Sequence, residues 1–107
     1  MSRGKLVRDK IPQIIPSRGA DPLVRVAERG EYRDLLRAKL TEEVTEFLDS
    51  DDPEELADIL EVVLTLASEL GVDAARLEAL RATKAAERGG FAQRIVWHGN
   101  REAIASR

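Results

Sequence analysis

The chain has 107 residues and a net charge of −3, which suits one domain (1–107) with a single hydrophobic core. Its hydrophobic fraction of 43%, charged fraction of 35% and aromatic fraction of 4% favour a globular helical protein with a core of Leu, Val, Ile and Ala. The negative charge argues against a nucleic-acid partner, and the absence of cysteine excludes disulfides and thiolate zinc sites.

The N-terminal segment is densely charged. Lys5, Arg8 and Lys10 lie within six positions and could reach a phosphate, although such a segment is more often simply solvated. Pro12 disfavours helical geometry at the residue before it but permits a helix over residues 12–15. Because no segment has the apolar length of a signal peptide or a membrane span, we expect a cytoplasmic protein without a membrane partner.

Two short segments have the composition of β strands. Residues 23–27 follow a loop rich in Pro and Gly, and residues 93–98 follow the break at Gly89 and Gly90. We expect them to pair as a small β ribbon, which must lean on the helices or on a partner subunit because two strands alone are marginally stable. Trp97 is expected in the core or an interface, and His98 is interpreted as structural.

Residues 32–70 are predicted to form two amphipathic helices joined by a turn at residues 50–53. On a helical wheel of about 100° per residue, Glu43 projects into the apolar arc of the first helix, between Leu35 and Leu36. Glu46 lies at the edge of that arc. A solvated glutamate would not be expected in such a position.

The second helix has a broader apolar face that also includes acidic residues. Glu55 falls between the directions of Val62 and Leu66, and Asp58 lies at the border of the face. This face is wider than one neighbouring helix can cover in so short a chain, so we expect a homo-oligomer, most simply a dimer, with a tetramer as the alternative.

Acidic residues on apolar helix surfaces need compensation. An ionised carboxylate is costly to bury unless it is paired or bound to a cation, and like charges at i, i+3 repel each other. Lys39 offsets only part of this charge. Hard cations such as Mg²⁺ or Mn²⁺ select carboxylate oxygens, and Mg²⁺ often takes phosphate oxygens as further ligands, so the pattern indicates a metal site for a phosphate substrate.

Two simpler interpretations compete with a metal site. Acidic residues in helices are most often solvated, and the start of the second helix also explains Glu55 as part of a capping box. In that interpretation Asp52 is the N-cap and Pro53 the first helical residue. Neither interpretation accounts for Asp58 and Glu43 on apolar faces.

A third helix is predicted from Ala74 to about Arg88, after a C-terminal stop at Gly71 and an N-cap at Asp73. Arg81, Lys84 and Arg88 form a basic stripe along it. The stripe is either an exposed face that complements the helix dipole or a set of phosphate ligands.

The residues resemble a known family. The acidic pattern Glu42-Glu43-x-x-Glu46 followed by Glu55-x-x-Asp58 is similar to the signature of the all-α nucleoside triphosphate pyrophosphohydrolases, the MazG-like superfamily. Three further stretches resemble the branch called phosphoribosyl-ATP pyrophosphohydrolase-like; they are Lys5-Leu-Val-Arg-Asp-Lys-Ile-Pro12, Tyr32 to Leu40, and Lys84-x-x-Glu87-Arg88-Gly89-Gly90-Phe91.

The resemblance implies an antiparallel helical bundle that binds Mg²⁺, with Mn²⁺ as a substitute, and cleaves a nucleoside triphosphate between its α and β phosphates. House-cleaning of nucleotides is one role such an activity would serve. Carried over by position, the implied metal ligands are Glu43, Glu46, Glu55 and Asp58. Glu42 and Glu43 are the implied catalytic residues, with Glu42 orienting or deprotonating water. The implied phosphate-binding residues are Lys84, Arg88, Arg81, Arg8 and Lys10.

The chain departs from the superfamily in two places. Only eight residues separate Glu46 from Glu55, so the helices must turn back at once. Residues 59–63 stand where histidine-pathway enzymes carry Ser-Tyr-Thr and an aromatic-His pair, which argues against a role in histidine biosynthesis. A nucleotide-binding or scaffold domain without turnover is the alternative function, and a di-iron site is disfavoured because Glu-x-x-His pairs are absent.

Overall fold

The computed structural model describes residues 4–15, 19 and 21–102. Over these residues its regular secondary structure is entirely helical: α1 (Ile11–Ile14), α2 (Arg29–Ser50), α3 (Pro53–Glu69) and α4 (Ala74–Arg88). The all-α class is therefore confirmed. None of the helices in the described part of the chain is both long enough and apolar enough to cross a bilayer.

The link between α2 and α3 is only two residues long. Asp51 adopts a left-handed conformation with φ of 53°, and its N–H donates to the Phe47 carbonyl at 2.8 Å. Asp52 then caps α3 by accepting a hydrogen bond from the Glu54 N–H at 2.9 Å, and Pro53 occupies the first turn, where an N–H is not needed. The helices therefore reverse direction at once, as the short spacer predicts.

The antiparallel pairing of α2 and α3 provides the hydrophobic core. Leu35 and Leu36 of α2 and Val62 and Ala67 of α3 are the buried apolar side chains of the described residues. At the open end of the hairpin, Arg33 Nη2 donates to the Glu69 carbonyl at 3.0 Å, which ties the start of α2 to the end of α3. The hairpin thus fixes which residues of the two helices face each other.

The turn after α3 follows the predicted stop signals. Gly71 has φ of 79°, and the Val72 N–H donates to the Ala67 carbonyl at 2.8 Å, as in a Schellman motif. Asp73 caps α4 by accepting from the Arg76 N–H at 2.8 Å. Among the described residues, α4 contacts α3 but not α2.

The predicted β ribbon is wrong. Neither residues 23–27 nor residues 93–98 form a strand, and both stretches are largely exposed, with Leu23 and Val26 almost fully so. Arg94 has a positive φ of 59°, which interrupts the extended backbone that a strand requires. Trp97 is 76% exposed and so does not lie in the core of the chain. Arg25 does pair with Glu31 of α2, but the apolar side chains of both segments stay largely exposed instead of packing on the helices as two strands would need.

Truncating Leu36 to Ala tests the small core between α2 and α3. Leu36 is 5% exposed, and we expect Leu36→Ala to lower the free energy of unfolding by at least about 2 kcal/mol because a cavity replaces its side chain. Urea unfolding followed by helical circular dichroism measures the change. The matched control is Leu23→Ala, where the side chain is fully exposed, and its effect should stay within about 0.5 kcal/mol. Equal effects of the two substitutions would contradict this description of the core.

Candidate metal centre

Five carboxylates meet where the C-terminal half of α2 faces the N-terminal half of α3. Oxygens of Glu42, Glu43 and Glu46 lie within 4.8 Å of one another, and so do oxygens of Glu43, Glu55 and Asp58. The spacing of one helical turn aligns the members from each helix, and the short hairpin link brings the two helices together. Both groupings contain Glu43, which makes it the centre of the cluster.

Glu43 is the buried charged residue of the described chain, with 6% of its surface exposed. Its Oε1 atom lies 3.1 Å from Lys39 Nζ, but its Oε2 atom is buried and has no hydrogen-bond partner among the described residues. A buried acceptor without a partner is costly and rare in native proteins. An oxygen left open amid other carboxylates is the type of donor that a hard divalent cation binds, so the residues present fit such an ion.

The crowding of carboxylates has its clearest effect on the pKa of Glu55. Loss of hydration where the helices meet, together with the neighbouring carboxylates of Glu43 and Glu46, raises the pKa of Glu55 from its ordinary 4.5 to about 7. At neutral pH the cluster therefore either holds a proton or gains from a bound cation.

The capping explanation for Glu55 does not hold. In a capping box the Glu55 side chain would accept from the Asp52 N–H, but that N–H donates to Ser50 Oγ at 3.1 Å. Asp52 and Pro53 do start α3 as predicted. Glu55 instead lies partly buried beside Glu43, so its position is explained by the cluster rather than by the helix end.

Three cations surround the carboxylates. Lys39 Nζ lies between Glu43 and Glu42, at 3.2 Å from Glu42 Oε2. Lys5 Nζ lies 2.9 Å from Glu42 Oε1, and this contact, together with Lys39, holds the pKa of Glu42 below its usual range. Arg8 Nη2 lies 2.6 Å from Asp58 Oδ1, and this hydrogen bond raises the pKa of the guanidinium.

The structure brings together only some of the predicted phosphate-binding residues. Arg8 reaches the cluster, whereas Lys10 is exposed and makes no ion pair with the described residues. Arg81 is paired with Glu78 on its own helix, at 2.6 Å. Lys84 and Arg88 are exposed on α4, which does not contact α2 within the chain. Helix α4 does contact α3, which carries Glu55 and Asp58, but no ion pair among the described residues joins the basic stripe to the acidic cluster.

Two residues at the cluster were not among the predicted ligands. Lys39 was predicted only to offset part of the acidic charge from one turn before Glu43, and it does pair with Glu43. Lys5 is 37 positions away from Glu42 in the chain. No local pattern could have indicated that contact, because it depends on where the N-terminal segment crosses the hairpin.

Comparisons with known proteins add little to this geometry. No protein-family model matches the chain, and no solved structure matches it. A stretch of 47 residues is 45% identical to an uncharacterized protein of Mycolicibacterium smegmatis, which covers 44% of this chain and 48% of that protein. The chain thus spans about half the length of the curated relative it matches, and that relative supplies no function.

The raised pKa of Glu55 predicts how the stability of the metal-free protein depends on pH. The folded protein keeps the proton up to about pH 7, whereas an unfolded glutamate releases it near its ordinary 4.5. This group's stabilising contribution is therefore complete below the unfolded pKa and is lost as the pH rises through the folded one. With EDTA present, we expect the urea midpoint to fall between about pH 5 and about pH 8.

Glu55→Gln isolates the contribution of this carboxyl, because glutamine keeps the shape and cannot titrate. The fall in the urea midpoint with pH should be smaller in the variant than in the wild type. If the two proteins lost stability in parallel over this range, the shifted pKa of Glu55 would be refuted.

Proposed function

We propose that this chain is a Mg²⁺-dependent nucleoside triphosphate pyrophosphohydrolase, which hydrolyses the bond between the α and β phosphates to give a nucleoside monophosphate and pyrophosphate. The observation that carries the proposal is the buried Oε2 atom of Glu43, which has no hydrogen-bond partner among the described residues and lies where two groups of carboxylates meet. The resemblance of the acidic pattern to the MazG-like superfamily supports the same activity. Removal of unwanted nucleotides is the cellular role we assign to it.

In this proposal Glu43, Glu46, Glu55 and Asp58 hold the cation, with Mn²⁺ able to replace Mg²⁺. All four contribute an oxygen to one of the two close groups. When bound, the cation supplies Lewis acidity toward the phosphate chain and toward the attacking water. It would also remove the electrostatic conflict that raises the pKa of Glu55.

Glu42 is placed to act on water rather than on the cation. Lys5 and Lys39 hold its pKa low, so the carboxylate is ionised at neutral pH. A carboxylate with a low pKa is a weak base, and a hydrogen bond that orients the attacking water is therefore its main contribution. Glu42 is the catalytic residue in this assignment, together with Glu43.

The cations of the site would neutralise the phosphate chain and the departing pyrophosphate. Arg8 and Lys39 already lie against the carboxylates. Arg81, Lys84 and Arg88 of α4 make no ion pair with the five carboxylates among the described residues, and we propose that they reach the phosphate chain from a second copy of the chain. Cations fixed around developing charge are a common source of rate enhancement in phosphoryl transfer.

We propose that the protein is a dimer or tetramer. The radius of gyration is 20.1 Å, compared with about 13 Å for a compact domain of this size. Leu56 and Leu60 on α3 are about half exposed, and Leu70 at its end is 67% exposed. These apolar side chains offer a surface that a second copy would cover.

Light scattering tests the oligomeric state. We expect a mass of at least about twice the 11.9 kDa of the chain, because the exposed leucines of α3 favour association. Replacing Leu56 and Leu60 by Ser should shift the mass toward that of one chain. A wild-type mass of one chain at high concentration would contradict the prediction.

A nucleotide-binding or scaffold domain without turnover is the second candidate. It is favoured by the ion pairs of Lys5 and Arg8, which satisfy Glu42 and Asp58 without any cation. Calorimetry with a non-hydrolysable nucleotide and Mg²⁺ separates the two candidates. Binding without turnover of any nucleotide would favour the scaffold.

Pyrophosphate release from a panel of nucleoside triphosphates tests the activity. With Mg²⁺, we expect turnover of at least one nucleotide, and we expect Glu43→Gln to lower it at least about a hundredfold because the central donor is lost. The matched control is Glu54→Gln, an exposed acid of the same helical turn as Glu55, which should retain activity. No turnover of any nucleotide by a folded protein would exclude the enzyme.

A further inference from the structure

The segment before α1 crosses the acidic cluster. Residues 4–10, here called the N-terminal strap, form no helix or strand, yet they reach both helices of the hairpin. Lys5 pairs with Glu42 of α2 at 2.9 Å, and Arg8 pairs with Asp58 of α3 at 2.6 Å. The strap therefore contributes positive charge to two of the five carboxylates.

Between the strap and the hairpin lies an open cavity of about 300 Å³. Its lining includes Leu6 and Arg8 from the strap, Leu36 and Lys39 from α2, and Val62 from α3. Leu6 is partly buried, so the strap is anchored by an apolar contact as well as by ion pairs. Arg8 and Lys39 connect this cavity to the carboxylates, because each lines the cavity and pairs with an acidic residue.

The ion pairs of the strap are exposed to solvent, so other ligands can replace their partners. The Arg8 side chain is 55% exposed and the Lys5 side chain 65% exposed, and exposed ion pairs are weak. Lys39 differs from both, because its side chain is only 17% exposed and lies between two carboxylates. A divalent cation would compete with Arg8 for Asp58, since both would bind oxygens of the same carboxylate.

We propose that the N-terminal strap is a phosphate-binding element that exchanges partners when the cation binds. Without the cation, Arg8 neutralises Asp58 and Lys5 neutralises Glu42. When Asp58 binds the cation, Arg8 is released at the edge of the cavity and binds the phosphate chain of the substrate, whereas Lys5 stays paired with Glu42, which does not bind the cation. This inference rests on the proposed function, which supplies the phosphate chain as the anion.

If Arg8 exchanges partners, binding of the cation and binding of the phosphate chain are coupled. Substituting Arg8 tests this coupling. Removing Arg8 takes away a competitor for Asp58, so the cation should bind more tightly. The same substitution removes a donor for the phosphate chain, so the anion should bind more weakly. Effects of opposite sign on two ligands of one site are not expected from a residue that merely stabilises the fold.

The test compares Arg8→Gln with Arg37→Gln in the full chain. Arg37 is an exposed arginine of α2 that makes no ion pair with the described residues, so it controls for the loss of one positive charge. Mn²⁺ binding is measured by electron paramagnetic resonance of the free ion. Binding of inorganic tripolyphosphate, which carries no nucleoside, is measured by calorimetry in excess Mg²⁺.

We expect Arg8→Gln to bind Mn²⁺ about two- to fivefold more tightly and tripolyphosphate about tenfold more weakly than wild type. Lys5→Gln should not tighten Mn²⁺ binding, because Glu42, its partner, is not one of the proposed cation ligands, and Arg37→Gln should change neither affinity. Weaker Mn²⁺ binding by Arg8→Gln, or unchanged tripolyphosphate binding, would overturn the exchange while leaving the proposed function intact. If the wild type bound no Mn²⁺ at all, both proposals would fail.

Discussion

The structure depends on one carboxylate that the fold buries without satisfying. Glu43 lies on the face of α2 that packs against α3, and within the described part of the chain only one of its two oxygens has a partner, the ammonium of Lys39. Burying an ion of this kind opposes folding unless another charge compensates it. The surrounding features can be understood as responses to that cost, from the proton affinity of Glu55 to the cations of the N-terminal segment.

The α2–α3 hairpin brings the buried carboxylate of Glu43 close to the other acidic residues. The link between the helices has two residues, Asp51 in a left-handed conformation and Asp52 as the cap of α3. So short a link holds the two helices close together near the turn. Glu43 and Glu55 are therefore held close together on facing helices. A small core farther along the hairpin, including Leu36 and Val62, stabilises this pairing at a distance from the charges.

Local signals in the sequence predicted most of the helical structure. Proline, capping aspartates and Gly71 placed the ends of α3 and α4, and the helical wheel placed Glu43 on a buried face, because these features depend only on neighbouring residues. The predicted ribbon failed because strand composition was present without a surface for the strands to pack on. The contact of Lys5 with Glu42 could not be predicted, since it joins segments whose meeting depends on the whole fold.

The most direct measurement is a crystal structure of the protein soaked in Mn²⁺, with anomalous scattering recorded at an energy where manganese contributes. The proposed function predicts an anomalous peak within coordination distance of Glu43 Oε2, with oxygens from both α2 and α3 among the ligands and Arg8 separated from Asp58. A cluster without a peak, in which Arg8 still holds Asp58 and a proton remains on Glu55, would contradict it. The acidic residues would then be an internal ion-pair network.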